Sequence, residues 1–449
     1  MNSSMKAVGL FVKSVGMACF IYVLLRPVSN NSILVSVLAA MGIVAAAACL
    51  LERRRIHPVL HPILYLQAIF GAFGCFIGAI NNAPGLTFGY LVYFVAPVVF
   101  WTFVRVHDVR LLRLTFLSLA IGTTILSTVI VCYVGGQKGV IPQFVPEWVI
   151  SGSDARVGFN DGGIEIRFLG LSTLAAAAPI WLASLFLAPN PIMPPIWLRI
   201  YAATTSLVAT LVGGRQAIII NVALTPVMLW ACSRLLGRSG SRGRYRPVYA
   251  LVSAMAIIVV AYLGVNHGLF RSAAFTSAFR DARNIVVGES GDTAASSTVT
   301  IRIEEQRQLL DAWASSPVTG QGFGAVIKGY SRNDARPWNF ELQYLMLLFQ
   351  TGLVGALLLA GIAGSAVAAM RRAVRVATGP EMVDMAVIAT VGAVSMLLAN
   401  ISNPYLQAPG HMWAVYLPLA VANIMLLSGD GSGDVAHHDL PTVRLATVK

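Results

Sequence analysis

A chain of 449 residues that is 57% hydrophobic and 11% charged, with a mean hydropathy of +0.73, lies outside the composition of soluble domains and reads as a polytopic membrane protein. Its net charge of +13 raises a nucleic-acid reading, but the basic residues sit mostly between apolar segments, where membrane orientation accounts for them, and no nucleic-acid partner is expected. The five cysteines, Cys19, Cys49, Cys75, Cys132 and Cys232, all fall in apolar segments without a CxxC pair, which excludes a disulfide-stapled domain and a thiolate metal set.

Taken in chain order, apolar runs of roughly the 20 residues that a bilayer demands recur about twelve times. They cover 6–25, 33–51, 62–80, 86–105, 112–133, 168–187, 196–213, 215–233, 247–265, 341–361, 382–401 and 411–428. The first run is too long for a secretory signal and leads through "RPVSNNS" into a second span, so it reads as a retained helix. The basic clusters "ERRRIH", "RVHDVRLLR", "SRLLGRSGSRGRYR" and "RRAVR" fall in alternate loops, whereas "NNAPG" and "SNPYLQAPG" carry no Lys or Arg. The clusters mark the cytoplasmic side, and both termini are predicted to lie there.

This division gives nine spans in residues 1–265 with an outer loop at 134–167, a large outer loop at 266–340, three spans in 341–428, and a Gly- and Asp-rich tail at 429–449 that reads as disordered. The large loop has internal structure. "STVTIRIEEQRQLLDAWASSP" opens on Ser/Thr caps, carries Ile303, Leu310 and Ala314 with Leu309 and Trp313 beside them, and stops at Pro317; an amphipathic helix across the mouth of the bundle is predicted. "TGQGFGAVIKGY" looks like a phosphate loop, but no strand precedes it and no GK[ST] follows, so tight backbone turns are the better reading. His267 and His411 are isolated, and no metal site is expected.

The candidate chemistry lies on the outer side. Arg215 stands in the turn of the hairpin "LVGGRQAIII", Arg302 in the predicted first turn of the loop helix, where a cation meets the unfavourable end of the dipole, and Arg167 in "EIRFLGLS". Each alone reads as a snorkelling or solvated arginine; together they match a phosphate or diphosphate, whose oxygens accept guanidinium forks. Glu341, at the start of the run "ELQYLMLLFQTGLVG", is either a helix cap or a general base able to accept a proton from a hydroxyl.

Residues 205–360 resemble the O-antigen ligase and polymerase superfamily of bacterial envelope glycan assembly, with weaker echoes at "RFLG" and "SNPY". "GGRQA" is similar to that family's Gly-Ser-Arg-like turn, and "RIEEQRQLLDAWASSPVTGQGFG" to its arginine-bearing loop helix and following glycine stretch. "ELQYLMLLFQTGLVG" aligns without a gap with a His-Asn-x-Tyr-Leu-Gln segment, placing Glu341 and Leu342 where many ligases carry His and Asn. The resemblance implies an all-α membrane glycosyltransferase of the C type, with about twelve transmembrane helices and a large periplasmic loop. It implies a bacterial inner-membrane location, a periplasmic active site, and an undecaprenyl-diphosphate-linked glycan donor held by Arg215, Arg302 and Arg167. Glu341 would be the base in an inverting transfer that needs no metal, cofactor or nucleotide sugar. The acceptor would be a growing glycan or a lipid A core; the glutamate in place of histidine favours polymerisation over ligation. A chain-length regulator is a further partner that the resemblance allows. The rival class is a flippase or other transporter, but Lys13 is the only charge well inside a predicted span and no half repeats, so the asymmetry favours a site on one face.

Overall fold

The computed structural model describes residues 3–27, 32–51, 54–150, 157–160, 163–166, 170–187, 190–213, 215–237 and 296–430. Helices α1 (Ser3–Leu25), α2 (Ser32–Leu51), α3 (His61–Ile80), α4 (Leu86–Val106), α5 (Val109–Gln137), α6 (Leu174–Leu185), α7 (Ile196–Val212) and α8 (Gln216–Leu235) form the first part of the bundle. Helix α9 (Ser296–Ala314) precedes the last three, α10 (Gln343–Val376), α11 (Pro380–Ala399) and α12 (Trp413–Gly429). A short antiparallel hairpin, β1 (Val157–Asn160) with β2 (Gly163–Ile166), pairs Val157 opposite Ile166.

Among the described residues eight helices are long and apolar enough to cross a bilayer, in α2 to α5, α8 and α10 to α12; Ser14–Leu25, Leu171–Leu185 and Ile196–Val212 are shorter apolar stretches. The protein is thus an α-helical membrane protein. Every predicted apolar run within the described residues lies on a helix; the run 247–265 lies outside them, as does the tail beyond residue 430.

Three boundaries differ from the sequence expectation. The run predicted at 168–187 is helical only from Leu174 to Leu185, after a single tight turn at Leu171–Thr173. The run predicted to begin at Glu341 becomes helical at Gln343 and continues to Val376, so Arg371, Arg372 and Arg375 ride on the helix and not in a loop. Cations suit its C-terminal turns, where the carbonyl ends of the dipole gather. Arg302 is the seventh residue of α9 and therefore lies in the second turn, not the first.

Helix α6 is nearly all buried and packs against α7, α8 and α11. Its run of small residues lets backbones approach, and interhelical polar bonds fix the contact: Ser395 Oγ donates to Ala175 O at 2.5 Å, and Asn221 Nδ2 to Ser395 O at 2.6 Å.

Two departures from regular helix shape one end of the bundle. Pro97 has no N–H to return to the Tyr93 carbonyl, and α4 widens into a π turn at Leu91–Val95. Helix α10 breaks at Gly352, where φ is 59° and ψ −161°. The segment Pro317–Gly322 enters the break and supplies what the helix lost. Pro317 and Val318 carbonyls accept from Leu353 and Val354 at 2.9 and 3.1 Å, while Gln321 and Gly322 donate to Phe349 and Gln350 at 3.0 and 2.7 Å. Irregular backbone in an apolar helix persists where other protein groups complete its hydrogen bonds.

A charged cluster where α9 meets α10

The stretch read as tight turns is a wedge. Gly320, Gly322 and Gly324 all have φ between 68° and 89°, and a side chain at Gly322 would overlap the backbone of Gly78. These turns drive Phe323 into a slot lined by Gly74, Gly78 and Gly89, where its ring stacks on Tyr93 at 4.4 Å. The wedge fixes the path of the following loop, which returns through Arg332 to the start of α10.

Helix α9 packs against α10 with Arg302, Glu305 and Leu309 on one face, the i, i+3, i+7 spacing of a helical stripe. Leu309 and Glu305 are fully buried, whereas Ile301 and Ala314 are exposed. The predicted apolar stripe through Ile303, Leu310 and Ala314 is therefore rotated from the face that packs. The reason is polar: Glu305 Oε1 accepts the Leu342 N–H at 2.8 Å, capping the entry to α10, and Glu305 Oε2 accepts from Arg332 Nη1 at 3.2 Å.

From this anchor the charges alternate. Arg332 Nη2 reaches Glu341 Oε1 at 2.6 Å, and Arg302 Nε reaches Glu341 Oε2 at 3.2 Å. Arg332 joins two carboxylates, and Glu341 two guanidiniums. The Glu341 side chain keeps a third of its surface exposed, against 0% for Glu305, so Glu341 is open to an incoming molecule and Glu305 is closed. Burial pushes the Glu305 carboxyl above its ordinary range, with the Leu342 N–H and Arg332 pulling it back.

The backbone around Glu341 is held on both sides. Phe340 is buried edge-on against Phe349, with centroids 6.2 Å apart, and its carbonyl accepts from Gln407 Nε2 at 3.0 Å. Leu342 is the N-cap of α10 and makes no side-chain cap bond. The reading of Glu341 as a simple helix cap does not hold: both of its oxygens go to arginines, and the carboxylate that serves the helix entry is Glu305.

Gln407 belongs to the turn between α11 and α12, which also carries Tyr405. The Tyr405 hydroxyl is buried without a hydrogen-bond partner. The charges acting on it are those of Arg215, Arg302 and Glu341; burial raises its pKa above the ordinary phenol value, and the two guanidiniums oppose the rise. Arg215 occupies the N-cap position of α8 in an extended backbone conformation, φ −84° and ψ 95°. It is half-buried and forms no ion pair among the described residues.

Of the residues singled out in the sequence, Glu341, Arg302 and Arg215 thus converge at one end of the bundle, and Arg167 lies outside the described residues. Sequence reasoning missed Arg332 and Glu305. For Glu305 a signal existed, since it shares a helical stripe with Arg302 and Leu309; for Arg332, in a polar turn, none did. His411 is fully buried and engaged at both ring nitrogens, by Tyr405 O and Ser172 Oγ, each at 2.7 Å; His267 lies outside the described residues. No group of His, Cys, Asp and Glu able to hold a metal occurs among the described residues.

Chemically, the site offers several cations beside one reachable carboxylate and one neutral hydroxyl. Such an arrangement is chemically able to bind an anion with more than one charge and to accept a proton next to it. The chain matches no protein-family model and no curated protein.

Proposed function

We propose that the protein is a membrane glycosyltransferase that polymerises glycan units carried on undecaprenyl diphosphate, working at the periplasmic face of a bacterial inner membrane. The observation that carries this reading is the convergence of Arg215, Arg302 and Arg332 on the neighbourhood of Glu341 and Tyr405, at one end of an apolar bundle. The resemblance of "GGRQA" and "ELQYLMLLFQTGLVG" to the O-antigen ligase and polymerase superfamily supports it independently.

The physical logic starts from charge. A diphosphate brings more negative charge than one carboxylate and accepts bidentate guanidinium bonds. When the donor binds, Arg302 and Arg332 exchange Glu341 for phosphate oxygens, and Arg215, which has no carboxylate of its own among the described residues, joins them. The exchange uncovers Glu341 at the moment a base is needed. Its carboxylate takes the proton of an acceptor hydroxyl, whose oxygen attacks the anomeric carbon from the face opposite the diphosphate. The bond to the leaving oxygen breaks with its electron pair, and the arginines hold the charge that develops. Glu305, closed off and bonded to the Leu342 N–H, keeps Arg332 and the start of α10 in place and does not meet substrate.

The test is complementation of a deletion strain by Glu341→Gln, reading cell-envelope and secreted polysaccharide on a gel at matched expression. Loss of long chains, with single units still delivered outside, is expected. Long chains that stay on the carrier lipid would reassign the protein as a ligase acting on lipid A core. Units trapped inside would make it a flippase, and an unchanged profile would reduce the cluster to a structural latch.

A further inference from the structure

The turn that carries Tyr405 is built more rigidly than a connector between two helices requires. Asn400 Oδ1 accepts from Leu406 N at 3.0 Å, Gln407 is tied to the Phe340 carbonyl, and the Tyr405 carbonyl accepts from His411, itself fixed on Ser172. The phenol ring lies 5.8 Å from the His411 ring. The Tyr405 hydroxyl is buried without a partner, and so are Asn400 Nδ2 and Gln407 Oε1 of the same turn, so that unpaired polar atoms gather beside the Phe340 carbonyl. Buried donors left without an acceptor are uncommon in native proteins, and a catalytic role is one of the reasons that retain them.

From its unpartnered, buried hydroxyl and the tie of its turn, through Gln407, to the Phe340 carbonyl next to Glu341, we infer that the Tyr405 hydroxyl is a catalytic hydrogen-bond donor to the diphosphate oxygen that leaves the sugar. The inference rests on the glycosyltransferase reading and adds to it a neutral donor. In the step, the acceptor oxygen forms its bond to the anomeric carbon, its proton passes to Glu341, and the carbon–oxygen bond to diphosphate breaks with both electrons on the phosphate oxygen. Tyr405 keeps its proton and shares it with that oxygen, strengthening the bond as negative charge accumulates. A donor that gains strength only as charge develops lowers the barrier without tightening the ground state.

Membranes of a deletion strain, complemented with the full-length chain, supply their own accumulated lipid-linked glycan as substrate. At equal protein, Tyr405→Phe, which keeps the ring, is expected to slow polymer formation about 10²-fold. The farnesyl diphosphate concentration that halves the remaining rate should stay within about twofold of wild type. A fluorinated tyrosine at the position, which keeps ring and hydroxyl, should restore the rate. An equal loss of rate and of farnesyl diphosphate affinity would overturn the role, because it would make Tyr405 a ground-state contact. Full activity of Tyr405→Phe beside an inactive Glu341→Gln would overturn this inference alone. Full activity of both would remove the glycosyltransferase reading with it.

Discussion

The two ends of the bundle use charge in opposite ways. At the end away from Glu341, Arg54 pairs with Asp108 at 2.7 Å while Asp108 Oδ1 caps α5 through Leu111 N at 2.7 Å. His57 Nε2 meets Asp430 at 2.6 Å, and His107 is held between Phe103 O and Thr115 Oγ1 at 2.6 and 2.9 Å. Each of these groups ends a helix or ties one helix end to another. At the Glu341 end, one carboxylate is shared by two arginines, Arg215 has no acidic partner among the described residues, and a buried phenol lacks an acceptor. The first pattern is complete within the chain; the second leaves Arg215 and the Tyr405 hydroxyl without partners among the described residues, as the proposed diphosphate site requires. Buried polar groups are mostly satisfied within a protein, and it is the shared carboxylate and the unpaired Arg215, beside the unpartnered phenol, that set this end apart.

The contrast breaks most sharply if activity survives in the second pattern's variants. Glu341→Gln and Arg302→Ala should each reduce polymer formation about 10³-fold, with melting in detergent close to wild type because both side chains are partly exposed. Next in size is Glu305→Ala, which strips a buried partner from Arg332 and from the Leu342 N–H; a loss of about 3–5 kcal/mol is expected in thermal unfolding. Glu305 also sets a pH slope. Its folded value lies above the ordinary 4.5, so the folded state holds the proton longer than the unfolded one. Stability therefore falls as pH rises from about 4.5 through the raised value, and Glu305→Gln should flatten that slope. Gly322→Ala comes third: it strains a φ of 89° and meets Gly78 backbone, for a cost of about 1–3 kcal/mol. Because the wedge positions the loop that carries Arg332, activity at permissive temperature should fall with it.

The fold was legible where a bilayer dictates it. Long apolar runs have one stable conformation in lipid, and runs such as 62–80 and 382–401 lie on α3 and α11 nearly residue for residue. The loop helix was legible from its caps and from Pro317. Its orientation was not, because hydrophobicity assigns the packed face to Ile303 and Leu310, whereas the face is set by Glu305 and its bond to a backbone amide far along the chain. Arg332 was invisible for the same reason: in "SRNDARP" it looks like any solvated turn residue, and only the wedge brings it between two carboxylates. The break at Gly352 was equally hidden, since "QTGLVG" reads as continuous apolar helix until the Pro317 segment is seen to occupy it.

The smallest expected effect tests the other half of the comparison. Asp108→Ala removes the cap of α5 and the partner of Arg54, both partly exposed at about a quarter of their side-chain surface. A cap of this kind contributes about 1 kcal/mol, and an ion pair so exposed adds little to it. Thermal unfolding should therefore shift slightly, and polysaccharide formation at matched expression should not change. A large loss of activity in Asp108→Ala would mean that the two ends are energetically coupled. The site would then extend across the bundle, as an alternating-access transporter requires and a transferase at one face does not. An unaffected Asp108→Ala beside a dead Arg302→Ala is the result that separates charge used to end helices from charge held ready for a substrate.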